Sequence, residues 1–184
     1  MTLWEPQPSV FPSGMQPWLG LPLALHNRFF ADQNNYTAMG FNFLHEAGAY
    51  ASVPMDPAFW RYLFGKAIAW GMTMYEQDWL YVEYQEIRAM NSNLTTAYTW
   101  LHTMGDIASA LNVTIQYCLP MPLHILASTA IPAVTNARAS PDYHPGSLTP
   151  RNFINWDIGL SSLFYSSIGI QPSKVRVSVA LWGS

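Results

Sequence analysis

Charge is scarce in this chain. Eight Lys and Arg and eleven Asp and Glu among 184 residues leave a formal net charge of −3, and no basic cluster occurs anywhere. Nucleic-acid binders need a basic patch or stripe, so that partner class is set aside. Cysteine is nearly absent. Cys118 stands alone, no internal disulfide can form, and its apolar strand-like surroundings mark a buried thiol rather than a nucleophile. No apolar run approaches the roughly 18 residues that cross a bilayer. The N-terminal "MTLWEPQPSVFPSG" also lacks a basic segment followed by an apolar one, so a soluble chain without a targeting signal or membrane partner is expected. Histidine pairs at metal-ligand spacing are missing too. His26, His45, His102, His124 and His144 form no H-x-H or H-E-x-x-H pattern, and no metal or other cofactor is expected.

Aromatic residues are what the chain has in quantity: eight Trp, ten Tyr and nine Phe, alongside fourteen Pro. Flat rings with polar edges suit a core and also suit the faces of sugars, and the core is the heavier expectation. Half the residues are hydrophobic, enough for one domain over residues 1–184. Three N-x-[ST] sequons, at Asn35, Asn93 and Asn112, would accept glycans in a secreted protein, although chance supplies such tripeptides in an Asn- and Thr-rich chain.

Apolar runs of strand length alternate with stretches of helical period. "LGLPLALH" (19–26) reads as a strand, and "MDPAFWRYLFGKAIAW" (55–70) as a helix with Asp56 as N-cap and Pro57 in its first turn. "GMTMYEQ" is a second strand. "SNLTTAYTWLHTMGDIASAL" is a helix with Leu94, Ala97, Tyr98, Leu101, Met104 and Ala108 on one face. "NVTIQYC", "MPLHILASTA", "AVTNARA" and "NFINWDIGLSSLFYSSIG" continue as strand, helix, strand, helix. That order predicts an α/β fold with a parallel sheet.

Polar residues gather where the strands end: His26-Asn27-Arg28, Glu76-Gln77-Asp78, and Arg138 to Asp142. In parallel β/α barrels the C-terminal strand ends carry the chemistry. "GMTMYEQDWLYVEYQE" alone holds four of the eleven acidic residues. Alternation puts Glu76 and Asp78 on one face, and Asp78, between aromatic neighbours, is the functional candidate. Glu83 and Glu86 read as a solvated acidic surface. In "NARASPDYHPG", Arg138 and Asp142 are four residues apart across the stiff Pro141, a spacing that fits either a shared pocket or a surface ion pair. A barrel metallohydrolase on His26, His144 and Asp78 is the remaining alternative from another enzyme class, and His102 is expected to face outward or into the helix layer.

"RASPDYHP" resembles the R-x-S-D-D-[FY]-x-P segment of raffinose synthases and the R-x-x-x-D segment of α-galactosidases, glycoside hydrolases that share a (β/α)8 barrel. "VFPSGM", "MYEQDWL", "QYCLPMP" and "SSLFYSSIGIQPSK" are similar to other segments of that clan and fall in the same order, spanning Phe11 to Lys174. The resemblance implies a partial (β/α)8 barrel lacking its first and last strands, acting on a carbohydrate substrate with an α-linked sugar. It implies a retaining mechanism with Asp78 as nucleophile and Asp142 as general acid/base. Arg138 would contact the sugar, with Glu76, Trp79, His26, Asn27, Tyr117 and Tyr143 as further substrate contacts. Relatives carry Lys where this chain has Glu76, and the paired acidic residues and Trp of their first strand have no counterpart here. A catalytically inactive carbohydrate-binding fragment is therefore the alternative. Missing strands would leave unpaired sheet edges, which predicts marginal stability and self-association, with Val175, Val177 and Val179 expected to cover one edge.

Overall fold

The computed structural model describes residues 19–93, 95–140 and 151–174. Five strands form the main sheet: β1 (Leu23–Asn27), β5 (Met72–Gln77), β6 (Thr114–Tyr117), β7 (Val134–Arg138) and β8 (Gln171–Ser173), in the order β1-β5-β6-β7-β8. Every neighbouring pair is parallel. Between β1 and β5 lies a second, antiparallel sheet of β2 (Phe30–Ala31), β3 (Phe43–Leu44) and β4 (Ala51–Pro54), in the order β2-β4-β3, with the short helix α1 (Asn35–Ala38). The remaining helices are α2 (Pro57–Ala69), α3 (Leu80–Glu86), α4 (Arg88–Ser92), α5 (Thr96–Ala110), α6 (Pro122–Ser128) and α7 (Arg151–Ser167). The α/β class and the parallel sheet follow the sequence pattern. Among the described residues the sheet ends at β1 on one side and β8 on the other.

Local chemistry sets most element limits. Asp56 caps α2, its carboxylate accepting the Ala58 N–H at 2.8 Å, and Pro57 supplies a φ already suited to the first turn. β1 starts at Leu23, later than expected, because Gly20 turns the chain at φ 67° and Pro22 has no N–H to give to a ladder. β8 occupies Gln171–Ser173, while the expected edge strand of Val175, Val177 and Val179 and the "VFPSGM" segment lie outside the described residues.

The aromatic residues find their main use in the core. Phe59, Trp60, Leu63, Phe64 and Ala67 of α2 are buried, and Trp60 and Phe64 meet Tyr75 of β5 with ring centroids 6.0 and 5.1 Å apart. Phe30, Tyr36 and Phe43 of the antiparallel unit pack edge-on against Phe59, which locks that unit to α2. α5 buries Ala97, Trp100, Leu101, Met104, Ile107 and Ala108. Tyr98, expected on that face, is instead exposed and stacks on His102 at 3.9 Å.

At Gly105 the chain around Ile131 comes close against α5. A Cβ there would stand 2.1 Å from Cγ2 of the buried Ile131. Gly105→Ala gains up to about 1 kcal/mol in helix propensity, but forcing Ile131 aside costs about 1–3 kcal/mol or more. A lower urea midpoint than wild type is the expected result, and an unchanged or higher one would show that Ile131 moves freely.

Candidate active site on the polar side of the sheet

The main sheet has two unlike sides. Tyr75, Ile115, Tyr117, Ala137, Ala139 and Ile170 belong to the buried core, with Leu25 packed against it. Side chains alternate along a strand, so the residues between these point the other way. The ladder then aligns them in a row: His26 beside Glu76, Glu76 beside Gln116, Gln116 beside Asn136, and Asn136 beside Gln171. One step toward the C-terminal ends come Asp78, Cys118, Arg138 and Ser173. Parallel sheets packed on both sides are apolar on both. Here one side is polar on strand after strand, the composition of a surface that meets a polar ligand.

Asp78 is the centre of this face. Its N–H donates to the Asn27 carbonyl at 2.8 Å, and the Cys118 N–H donates to the Gln77 carbonyl at 2.9 Å, so the ladders run past β5 and β6 and hold both side chains rigidly. Asp78 Oδ2 lies 2.9 Å from His26 Nε2, and Oδ1 accepts the Trp79 N–H at 2.8 Å. Burial pushes this carboxyl up. The opposing influence of His26, the Cys118 thiol, the Trp79 N–H and the nearby Arg138 is larger, and its pKa falls below the ordinary value. Burial, and then the Asp78 carboxylate, drive the Cys118 thiol far above its usual value, so this buried cysteine is no thiolate nucleophile.

His26 moves in the opposite direction. Its hydrogen bond to Asp78 raises its pKa despite partial burial, and the charges of Glu76 and Asp78 add to the shift. The contribution of the pair to stability therefore has two limits. The raised His26 loses it as pH climbs through the folded value, above 6.5, and the lowered Asp78 loses it as pH falls below 3.8. In an NMR titration the His26 ring is expected to reach its midpoint above 6.5 and to shift downward in Asp78→Asn. A midpoint indifferent to that substitution would show that the pair does not form in solution.

The turn that presents Asp78 is strained. Trp79 sits at φ 58° and Leu119 at φ 48°, each the residue directly after a side chain on the polar side, Asp78 and Cys118 respectively. Bulky residues in the left-handed region cost on the order of 1–3 kcal/mol each and persist where the surroundings demand them. The guanidinium of Arg28 lies 5.2 Å from the centroid of Trp79, and Phe29 links Trp79 to Tyr50 with centroid distances of 5.7 and 5.3 Å. One face of Trp79 is thus already taken by a cation.

Behind the strand end is a buried polar network. Tyr75 donates its hydroxyl to Gln77 Oε1 at 2.9 Å, and Gln77 Nε2 donates to the Asp78 carbonyl at 3.1 Å, to the Arg28 carbonyl, and to Glu83 Oε2 at 3.2 Å. Glu83 is fully buried, which corrects its reading as a solvated carboxylate. The left-handed turn at Trp79 starts α3 immediately, and one turn of helix brings Glu83 back beneath Gln77. Burial first, and then the charge of Asp78, push the Glu83 carboxyl well above its ordinary value, so folding favours its neutral form.

The structure brings His26, Glu76, Asp78, Trp79 and Arg138 to one place. Asn27 and Tyr117, expected as sugar contacts, are corrected. Both are buried and alternate onto the helix-covered side, where Tyr117 joins the core and Asn27 lies beside Tyr75. Asp142, Tyr143 and His144 lie outside the described residues. Among the described residues no group of three or more His, Cys, Asp or Glu is arranged to hold a metal ion, and no helix is long and apolar enough to cross a membrane. Sequence reasoning missed Cys118 as the neighbour of Asp78, although both follow a strand end at the same step of the ladder. Compared with protein-family models, curated proteins and solved structures, the chain matches none.

Proposed function

We propose that this chain is a glycoside hydrolase-like protein acting on α-linked sugars by a retaining, two-carboxylate mechanism, with its sheet forming part of a (β/α)8 barrel. The observation that carries the reading is Asp78: a buried carboxylate kept ionised at the C-terminal edge of a parallel sheet, on the sheet's polar side, with Arg138 nearby. A glycosidase nucleophile needs these properties, because it must be charged at working pH and rigidly aimed at the anomeric carbon. Asp78 attacks that carbon as the glycosidic bond breaks. Asp142 gives its proton to the leaving oxygen, then takes one from the water that releases the sugar. Asp142 takes this role from the resemblance of "RASPDYHP" to the raffinose synthase and α-galactosidase segments. The two carboxyls would stand about 5–5.5 Å apart in the working site.

Glu76 and His26 supply a carboxyl and an imidazole beside the nucleophile, a mixed pair suited to sugar hydroxyls. A second reading, a carbohydrate-binding protein without turnover, is favoured by one feature: both oxygens of Asp78 are already engaged, by His26 and by the Trp79 N–H. Trapping separates the two. Incubation with 2-deoxy-2-fluoro-α-glycosyl fluorides should leave a sugar on the peptide that contains Asp78, located by mass spectrometry. A protein that stays unlabelled and hydrolyses none of a panel of α-glycosides would overturn the catalytic reading.

A further inference from the structure

Glu83 has no task in the chemistry described so far, yet it is wholly buried in the first turn of α3, just behind Asp78. Its partner is Gln77, whose amide nitrogen is crowded by acceptors. Gln77 Nε2 is within hydrogen-bonding distance of the Arg28 carbonyl, of the Asp78 carbonyl at 3.1 Å, and of the two Glu83 oxygens at 3.3 and 3.2 Å. Turning the amide over would set its oxygen against both backbone carbonyls, so its orientation is fixed, with Oε1 accepting the Tyr75 hydroxyl. An amide nitrogen carries two hydrogens. Here two hydrogens serve three groups: the Arg28 carbonyl, the Asp78 carbonyl and the Glu83 carboxyl. The cluster is one hydrogen short if Glu83 is a carboxylate, and a carboxylic acid supplies the missing one.

The surroundings favour the acid. Burial, the Asp78 charge and the neutral donor Gln77 are what act on this carboxyl, Tyr75 and Asp78 are the titratable groups beside it, and among the described residues it joins no ion pair. A carboxylate buried without a cation costs several kcal/mol, more than a shared amide hydrogen returns. The position of the cluster shows what it holds. Arg28 directly follows β1 and Asp78 directly follows β5, and the Asp78 N–H already links the two ends through the Asn27 carbonyl. Gln77 adds a side-chain link from β5 to the Arg28 carbonyl, and Glu83 holds the amide that makes it. We propose that Glu83 is a positioning residue for Asp78: as a neutral acid it completes the hydrogen bonding around Gln77 and so clasps the end of β1 to the end of β5. His26 and Asp78, on the two clasped ends, are thereby kept in contact. The role in catalysis rests on reading Asp78 as a nucleophile, whereas the clasp itself is measured without any sugar.

The test compares wild type, Glu83→Gln and Glu83→Leu. NMR reads the Glu83 carboxyl carbon at neutral pH, the titration of the His26 ring, and the exchange of amide hydrogens between β1 and β5. The wild-type carbon is expected at the position of a neutral acid. Glu83→Gln keeps a donor and an acceptor, so its His26 midpoint and its amide exchange should match wild type. Glu83→Leu keeps the bulk without the donor. Its His26 midpoint should fall toward 6.5, and its β1–β5 amides should exchange about tenfold faster. A carboxylate carbon at neutral pH, a Glu83→Gln protein as perturbed as Glu83→Leu, or a folded Glu83→Leu protein with the wild-type midpoint would each overturn the inference. If Glu83→Leu does not fold, the carboxyl carbon and Glu83→Gln decide between the outcomes. Failure of the catalytic reading looks different: the clasp behaves as expected, yet no sugar is trapped on Asp78.

Discussion

Asp78→Asn is expected to lower kcat/KM toward an α-glycoside by about 10⁴-fold or more while leaving the fold intact. The substitution keeps the shape of the side chain. Its oxygen still accepts the Trp79 N–H, and its amide nitrogen faces His26 Nε2, which serves as acceptor once the ring is neutral. What disappears is the charge and the nucleophilic oxygen, so the loss should fall on kcat with KM nearly unchanged. His26→Ala offers the contrast. It preserves the nucleophile but removes the donor that helps hold Asp78 below its ordinary pKa, so the acid limb of the pH–rate profile should move upward. Steady-state kinetics on the two variants read these effects directly. Asp78→Asn with wild-type turnover would remove Asp78 from the mechanism.

Acid is expected to unfold this protein through His124. The imidazole is fully buried at the start of α6, where Nδ1 accepts the Met121 N–H at 2.9 Å and Tyr84 packs edge-on against the ring at 5.7 Å. The remaining proton of the neutral ring is therefore on Nε2. Burial lowers the pKa to about 4 from an ordinary 6.5. The sign follows from linkage: below 6.5 the unfolded chain takes up a proton that the folded chain refuses, so stability falls from pH 6.5 down to about 4. The difference between the two values corresponds to about 3 kcal/mol. Glu83 works against this, because a raised carboxyl stabilises most below its ordinary value of 4.5 and loses that contribution as pH rises. Urea unfolding of wild type and His124→Gln at pH 7 and pH 4.5 separates them. The variant should lose markedly less stability than wild type across that interval, and parallel losses would exclude His124 as the acid-sensitive group.

The strand ends were legible because two simple periods coincide there. Runs with a period of two stop at polar clusters, and Asp56-Pro57 announces α2 through capping chemistry alone. The side of the sheet that each residue faces is legible too. Ile115 and Tyr117 alternate with Gln116 and Cys118, which puts Tyr117 with the core and Cys118 with Asp78. Other features leave no such mark. β2 and β3 are two residues long, too short for any period to show, so the antiparallel unit was invisible. The burial of Glu83 depends on a tryptophan adopting a positive φ, and no residue pattern signals that.

The site is assembled across the longest gap of its neighbouring strands. His26 and Asp78 are 52 positions apart in the chain, whereas Thr73 and Thr114, which join β5 to β6, are 41 apart. Among the described residues β1 also lies at an end of the sheet, paired with β5, with the antiparallel unit looped between them. Closing the larger loop costs more chain entropy, and an end strand can detach without breaking the rest of the ladder. Docking of β1 is thus a late event in folding and an early one in partial opening. Amide hydrogens bonded between β1 and β5 should exchange faster than those between β5 and β6, and each such opening takes His26 away from Asp78. The lifetime of the competent site is then set by the residence of one strand rather than by the stability of the whole domain.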